Sequence, residues 1–145
     1  MPTQSESYTT CSPTETLCWA EEFAGKLEPG AVVALYGELG AGKTVVAKGI
    51  GRGLGVREEI ISPTFNYILE YEGRLQLFHA DLYRIEGADM FRAMGLDEYF
   101  DRGGVFVIEW AERVRAALPI GTLELHITSD DGGQTRRITV SRKDS

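Results

Sequence analysis

Gly37-Glu38-Leu39-Gly40-Ala41-Gly42-Lys43-Thr44 is the stretch on which the fold of this 145-residue chain turns. It fits the pattern G-x-x-x-x-G-K-S/T, a glycine-rich loop that cradles phosphates. The surroundings fit as well. Ahead of it, Ala31 to Tyr36 (AVVALY) is a short apolar run suited to a buried strand. Behind it, a helix can begin at Lys43. A strand, this loop and then a helix is the arrangement the pattern needs, and it predicts that the chain binds a nucleoside triphosphate.

Each part of the loop has a chemical task. Gly37, Gly40 and Gly42 let the backbone approach phosphate oxygens closely. Consecutive N–H groups then point inward, helped by the positive end of the following helix. The predicted nucleotide contacts are Glu38, Leu39, Gly40, Ala41, Gly42, Lys43, Thr44 and Val45. Lys43 would reach the β- and γ-phosphates, and the Thr44 hydroxyl would ligate Mg²⁺. Guanine recognition usually comes with an Asn-Lys-x-Asp segment. Asn66 is the only asparagine and is followed by Tyr67-Ile68, which favours adenine.

A phosphate loop also needs an acid at the end of a second strand to hold the metal. Val105 to Ile108 (VFVI) is fully apolar, and Glu109-Trp110 follows it directly. Glu109 is therefore the candidate; the alternative is a solvent-facing acid at a strand end. Trp110 reads as packing, or as a wall of the site. Asp81, in His79-Ala80-Asp81-Leu82-Tyr83-Arg84, is the second acid, able to orient water or to reach the metal through water. His79 could orient Asp81, and Arg84 could pair with a carboxylate or phosphate. Spacing alone leaves open that these are a core histidine and a surface ion pair. Ser62-Pro63-Thr64-Phe65 reads either as a loop sensing nucleotide state or as a turn into a strand.

Periodicity supplies the remaining elements. Ser12-Pro13-Thr14-Glu15 predicts a capped helix start, Leu17, Ala20, Ala24 and Leu27 recur at helical spacing, and Pro29-Gly30 ends the helix. Residues 1–11 read as a loose end. The helix from Lys43 carries Gly49, Gly51, Gly53 and Gly55, predicting a stop near Gly51 to Gly55 and close packing on the sheet. Phe65 to Tyr71 and Leu75 to His79 predict a hairpin around Glu72-Gly73. Ala88 to Phe100 reads as helix broken near Gly95. Ala111 to Leu118 reads as a short helix ended by Pro119. Leu123 to Thr128 and Arg137 to Val140 predict a closing hairpin. The sum is one α/β domain over residues 1–145, a three-layer P-loop sandwich whose sheet mixes parallel and antiparallel pairs.

Composition narrows the partners. The formal net charge is −7, whereas a protein gripping bare nucleic acid usually shows a basic face. Arg136, Arg137, Arg142 and Lys143 form the one basic cluster, read as a solvated strand edge or a local contact patch. No apolar run reaches the roughly 18 residues of a membrane helix, and the polar start MPTQSESYTT has no signal-peptide core. Both point to the cytoplasm. Cys11 and Cys18, the only cysteines, read as free thiols.

GELGAGKT, Ser62-Pro63-Thr64-Phe65, the His79-to-Arg84 segment and Ile108-Glu109-Trp110, in this order in so short a chain, resemble the TsaE (YjeE) family. These are small bacterial ATPases of tRNA threonylcarbamoyladenosine biosynthesis. The likeness runs from about Pro13 to Val140. It implies ATP as the nucleotide, Mg²⁺ held by Thr44 and Glu109, and Lys43, Asp81 and Glu109 as the catalytic set. It also implies Thr16 near the adenine or ribose. It further implies docking on the TsaD–TsaB complex, which modifies the adenosine next to the anticodon of ANN-reading tRNAs, with tRNA met only through that complex. Hydrolysis would be weak alone and raised by the partners. Glu38 stands where aspartate is common, and Val45-Val46 replace a usual Thr and aromatic; neither removes a phosphate or metal ligand. A small-molecule kinase and a nucleotide-dependent binding switch are the competing readings, the kinase disfavoured because no insertion is long enough for a lid.

Overall fold

A computed structural model of the chain describes residues 5–38, 42–61, 63, 67–130 and 135–144. The apolar runs read from the sequence become the middle of a sheet. Its strands are β1 (Glu6–Thr10), β2 (Val32–Tyr36), β3 (Ile68–Tyr71), β4 (Leu77–Asp81), β5 (Val105–Glu109), β6 (Leu123–Asp130) and β7 (Thr135–Arg142). They lie in the order β1-β7-β6-β2-β5-β4-β3. Four adjacent strands, β6, β2, β5 and β4, are parallel to one another. β3 pairs antiparallel with β4, β7 with β6, and β1 with β7. Helices α1 (Pro13–Ala24), α2 (Lys43–Gly53) and α3 (Ala88–Ala93) and the 3-10 segments Leu96–Asp101 and Ala111–Ala117 cover it.

Alternation along the strands sorts side chains into two cores. Val33, Leu35, Leu77, Val105 and Val107 face Ala20 and Ala24 of α1 and Val46, Ala47 and Ile50 of α2. Val32, Ala34, Phe78, Ala80, Phe106 and Ile108 face the opposite way, under Phe91 of α3 and Leu96, Ala111 and Val114. β2 (VVALY) and the VFVI run of β5 read as unbroken apolar runs because both faces of the sheet are covered there, which makes three layers. Complete burial of a side chain such as Leu35 or Phe78 stabilises the fold by about 1.5–3 kcal/mol.

Residues 6–10, expected loose, form β1, in register from Glu6↔Val140 to Thr10↔Arg136. Only Thr10 of this strand is buried, so it lacks the apolar alternation that would have marked it. Backbone pairing holds it, as suits a polar edge strand. From Arg136 to Val140 β7 is consequently an inner strand, so Arg136 and Arg137 do not lie on a sheet edge. Lys143 is itself buried, at 8% exposure. Ser12 caps α1, accepting from the Glu15 N–H at 3.1 Å, but Glu15 reaches back to the Cys11 N–H rather than to that of Ser12. The helix stops at Gly25, ahead of Pro29-Gly30, so Leu27 is buried from a turn. Ala111–Ala117 is 3-10 helix with a kink at Val114. The Gly95 break is as expected, at φ 76°.

The glycines of α2 serve mainly the contact with α1, not the sheet. A Cβ on Gly49 would lie 2.5 Å from Ala20 Cβ and 2.7 Å from the Leu17 carbonyl oxygen. One on Gly53 would lie 2.5 Å from the Glu21 carbonyl oxygen. Only Gly51 looks toward the sheet, at Ile60 and Leu77. Gly49→Ala should therefore destabilise the chain by a net of about 1–2 kcal/mol, since overpacking outweighs a gain of about 1 kcal/mol in helix propensity. Thermal unfolding checks this: a raised Tm would mean that the two helices have room to separate.

Candidate active site

The candidate residues gather at the carboxyl ends of the parallel strands, where open α/β sheets bind ligands. β2 ends at Tyr36 and hands over to Gly37; β5 ends at Glu109; β4 ends at Asp81, opposite Glu109 in the register. Period-two alternation puts His79 and Asp81 on the face of Leu77, and Glu109 on that of Val107. That is the face covered by α2, whose first residues are Lys43 and Thr44.

The N-terminus of α2 is prepared for an anion. Its cap is Gly42, at φ 109°, with no side-chain hydrogen bond to the first turn, whereas Ser12 caps α1. Gly42 thus offers the first-turn N–H groups no side-chain acceptor, and these groups carry the positive end of the helix. The β2-to-Gly37 junction is braced from below. The Tyr36 hydroxyl donates to Glu124 Oε2 at 2.5 Å, and Arg115 donates to both Glu124 oxygens at 3.0 and 3.1 Å. Burial and the Glu124 carboxylate hold the Tyr36 hydroxyl well above its usual pKa. Burial also acts on Glu124, but hydrogen bonds from Arg115 and Tyr36 outweigh it and keep the carboxyl below its ordinary range.

Lys43 is 5% exposed and donates to the Gly37 carbonyl oxygen at 2.6 Å, with Nζ 3.6 Å from the centre of the Trp110 ring. Burial pulls its pKa down; the carboxylates of Glu112, Glu109 and Asp81 push it back without cancelling that. Phosphate oxygens would supply the missing countercharge. Thr44 Oγ1 lies 3.4 Å from Glu109 Oε1. Glu109 is 3% exposed, which removes the solvent-facing alternative. A hydroxyl and a carboxylate oxygen suit Mg²⁺, which takes few protein ligands and completes its shell with phosphate and water. Among the described residues, no group of three or more His, Cys, Asp or Glu could hold a metal.

Asp81 is half-buried and accepts from the Tyr83 N–H at 3.0 Å. Burial raises its pKa; the Tyr83 amide opposes this, the Glu109 charge adds to it, and His79 and Lys43 oppose. A carboxyl so poised can exchange a proton with water. His79 does not pair with Asp81 as expected: its Nε2 lies 2.5 Å from Glu109 Oε2. Trp110 has φ 61° and ψ 39°, a strained backbone for a bulky residue. That turn lays the indole over Lys43, and Tyr83 meets it edge-on with ring centres 5.0 Å apart.

The structure thus joins Lys43, Thr44, Glu109 and Asp81. Thr16 is 2% exposed on α1, its hydroxyl shared with Thr10 Oγ1 at 2.6 Å and the Ser12 carbonyl oxygen at 3.2 Å. Arg84 is exposed, as is Glu38; Val45 is half-buried. Leu39, Gly40 and Ala41 lie outside the described residues, as do Ser62, Thr64 and Phe65; Pro63 is buried. Sequence reading missed Glu112 as a neighbour of Lys43 and named Arg136 only as part of a contact patch without saying what it meets. A Cβ on Gly42 would lie 3.7 Å from Arg136 Nε. No spacing rule announces that contact, which depends on the β7 register. Cys11 and Cys18 are free and exposed. No helix among the described residues is long and apolar enough to cross a membrane.

A central parallel strand ending at Tyr36, a helix starting at Lys43, the glycine-rich sequence GELGAGKT spanning the step between them and an acid ending the neighbouring strand define a P-loop α/β protein. The fold matches the crystal structure of Bacillus subtilis YdiB at a TM-score of 0.81 and 36% identity, covering 98% of this chain and 88% of that one. The TsaE protein of Treponema pallidum is 43% identical over 132 residues, 90% of this chain and 96% of its own length. That of Bacillus subtilis is 43% identical over 131 residues, 90% and 81%. The model of the family "Threonylcarbamoyl adenosine biosynthesis protein TsaE" matches residues 10–138. The chain belongs to the TsaE family.

Proposed function

We propose that the chain binds ATP with Mg²⁺ and hydrolyses it in support of tRNA threonylcarbamoyladenosine formation. The observation that carries this is the meeting of Thr44 and Glu109 beside Lys43, at the uncapped start of α2. In this reading the backbone of residues 38–45 and the Lys43 ammonium hold the phosphates. Thr44 and Glu109 hold the metal, which would offset the charge on the phosphate oxygens. Asp81 orients the attacking water and exchanges its proton. Thr16 shapes the adenosine end, holding Thr10 and the Ser12 turn in place. Trp110 walls Lys43 from bulk water.

The output is felt in other proteins. We assign the chain as an accessory subunit of a TsaD–TsaB complex, in the cytoplasm, with tRNA met through that complex. The net charge of −7 supports docking on protein more than gripping tRNA alone. Hydrolysis serves turnover of the complex, not the transfer of the threonylcarbamoyl group. ADP formation with Mg²⁺ and ATP, measured with and without nucleosides and sugars, tests the reaction class. The expected result is slow ADP formation that owes nothing to an acceptor. Formation that required a small-molecule acceptor would make the chain a kinase.

A further inference from the structure

Glu109 has two carboxylate oxygens and a different partner on each. Oε1 lies 3.4 Å from Thr44 Oγ1, and Oε2 lies 2.5 Å from His79 Nε2. The sheet builds this arrangement. Asp81 stands opposite Glu109, and His79 is two residues earlier on β4, on the same face. That makes His79 a diagonal neighbour of Glu109, within reach of a ring. A carboxylate only accepts, so Nε2 carries the proton in this bond.

The rest of the ring gives no other reason for a histidine. His79 is completely buried, and its Nδ1 is a buried atom with no hydrogen-bond partner among the described residues. Such an atom costs about 1–3 kcal/mol, which an apolar side chain in the same space would avoid. Packing alone therefore does not favour imidazole here; the bond to Glu109 does.

We propose that His79 is a positioning residue. It anchors Glu109 Oε2, so that Oε1 stays turned toward the Thr44 hydroxyl and the metal that accompanies the nucleotide. Groups that orient a metal ligand in this way commonly change metal affinity by about 10–100-fold when lost. The inference rests on the Mg²⁺–ATP reading above.

The test compares His79→Gln with His79→Asn. The glutamine amide nitrogen reaches about as far as Nε2; that of asparagine stops near Nδ1. Both place a polar amide in the same buried space, so a purely structural penalty falls on both. Binding of a non-hydrolysable ATP analogue is measured by calorimetry in Mg²⁺ and in EDTA, with thermal unfolding to establish that each variant is folded. In Mg²⁺, His79→Asn should bind about tenfold or more weakly and His79→Gln within about threefold of the unmodified chain. In EDTA all three should bind alike. If the asparagine variant does not fold, His79→Thr, β-branched for its strand, takes its place with the same expectation. Equal loss in the Gln and short-chain variants, loss in EDTA as well, or no loss in any variant overturns the proposal. An unmodified chain that bound the analogue equally in Mg²⁺ and EDTA would overturn the metal reading itself, and this inference with it.

Discussion

Lys43→Ala is expected to cost the chain about ten- to hundredfold in ATP affinity and about 10²–10³-fold in hydrolysis. The first figure follows from losing a charge-assisted hydrogen bond of about 1.5–3 kcal/mol; the second from losing a fixed charge aimed where negative charge builds up. The fold should survive. Burial depresses the Lys43 pKa more than Glu112, Glu109 and Asp81 restore it, so the ammonium is held in the apo chain at a net cost. Removing it relieves that cost and frees the Gly37 carbonyl and the Trp110 ring face. Tm should be roughly unchanged, which separates lost phosphate binding from lost structure. Full ATP affinity in a folded Lys43→Ala variant would remove the lysine from the phosphate site.

Glu109→Ala should lower Mg²⁺-dependent hydrolysis on the order of a hundredfold, as expected when a metal ligand is lost. Unlike the lysine change, it should also destabilise the fold. It leaves His79 Nε2 buried without its acceptor, worth about 1–3 kcal/mol. Glu109→Gln separates the two effects, because a glutamine oxygen can still accept from His79 while the charge toward the metal is gone. The glutamine variant should unfold near the unmodified Tm yet hydrolyse poorly. Full Mg²⁺-dependent hydrolysis by Glu109→Ala would show that the metal is held elsewhere.

What the sequence made legible follows from how local each feature is. The β2-loop-α2 unit could be read because AVVALY, GELGAGKT and the start of α2 are contiguous, and their chemistry needs nothing from the rest of the chain. Glu109 could be found because VFVI is apolar on both faces and an acid directly ends it. His79 was visible but its partner was not. Proximity in sequence pointed to Asp81, whereas the Asp81↔Glu109 register brings it to Glu109. Arg136 needed a second piece of register, that of β7. β1 escaped notice because backbone pairing holds it, and its polar side chains leave no periodic signal. The glycines of α2 announced close packing without saying against what; only the structure puts Ala20 and the Leu17 and Glu21 carbonyls there.

The proposed work of the phosphate loop is ATP turnover on behalf of a tRNA-modifying complex. Its most direct test is reconstitution with TsaD and TsaB proteins, tRNA and a supply of the threonylcarbamoyl donor, counting modified tRNAs per complex over many turnovers. Adding this chain with Mg²⁺ and ATP should raise the count well above one per complex, and adding the Lys43→Ala chain should not. No gain from the unmodified chain, or an equal gain from the Lys43→Ala chain, would show that ATP turnover at this loop does not serve the complex.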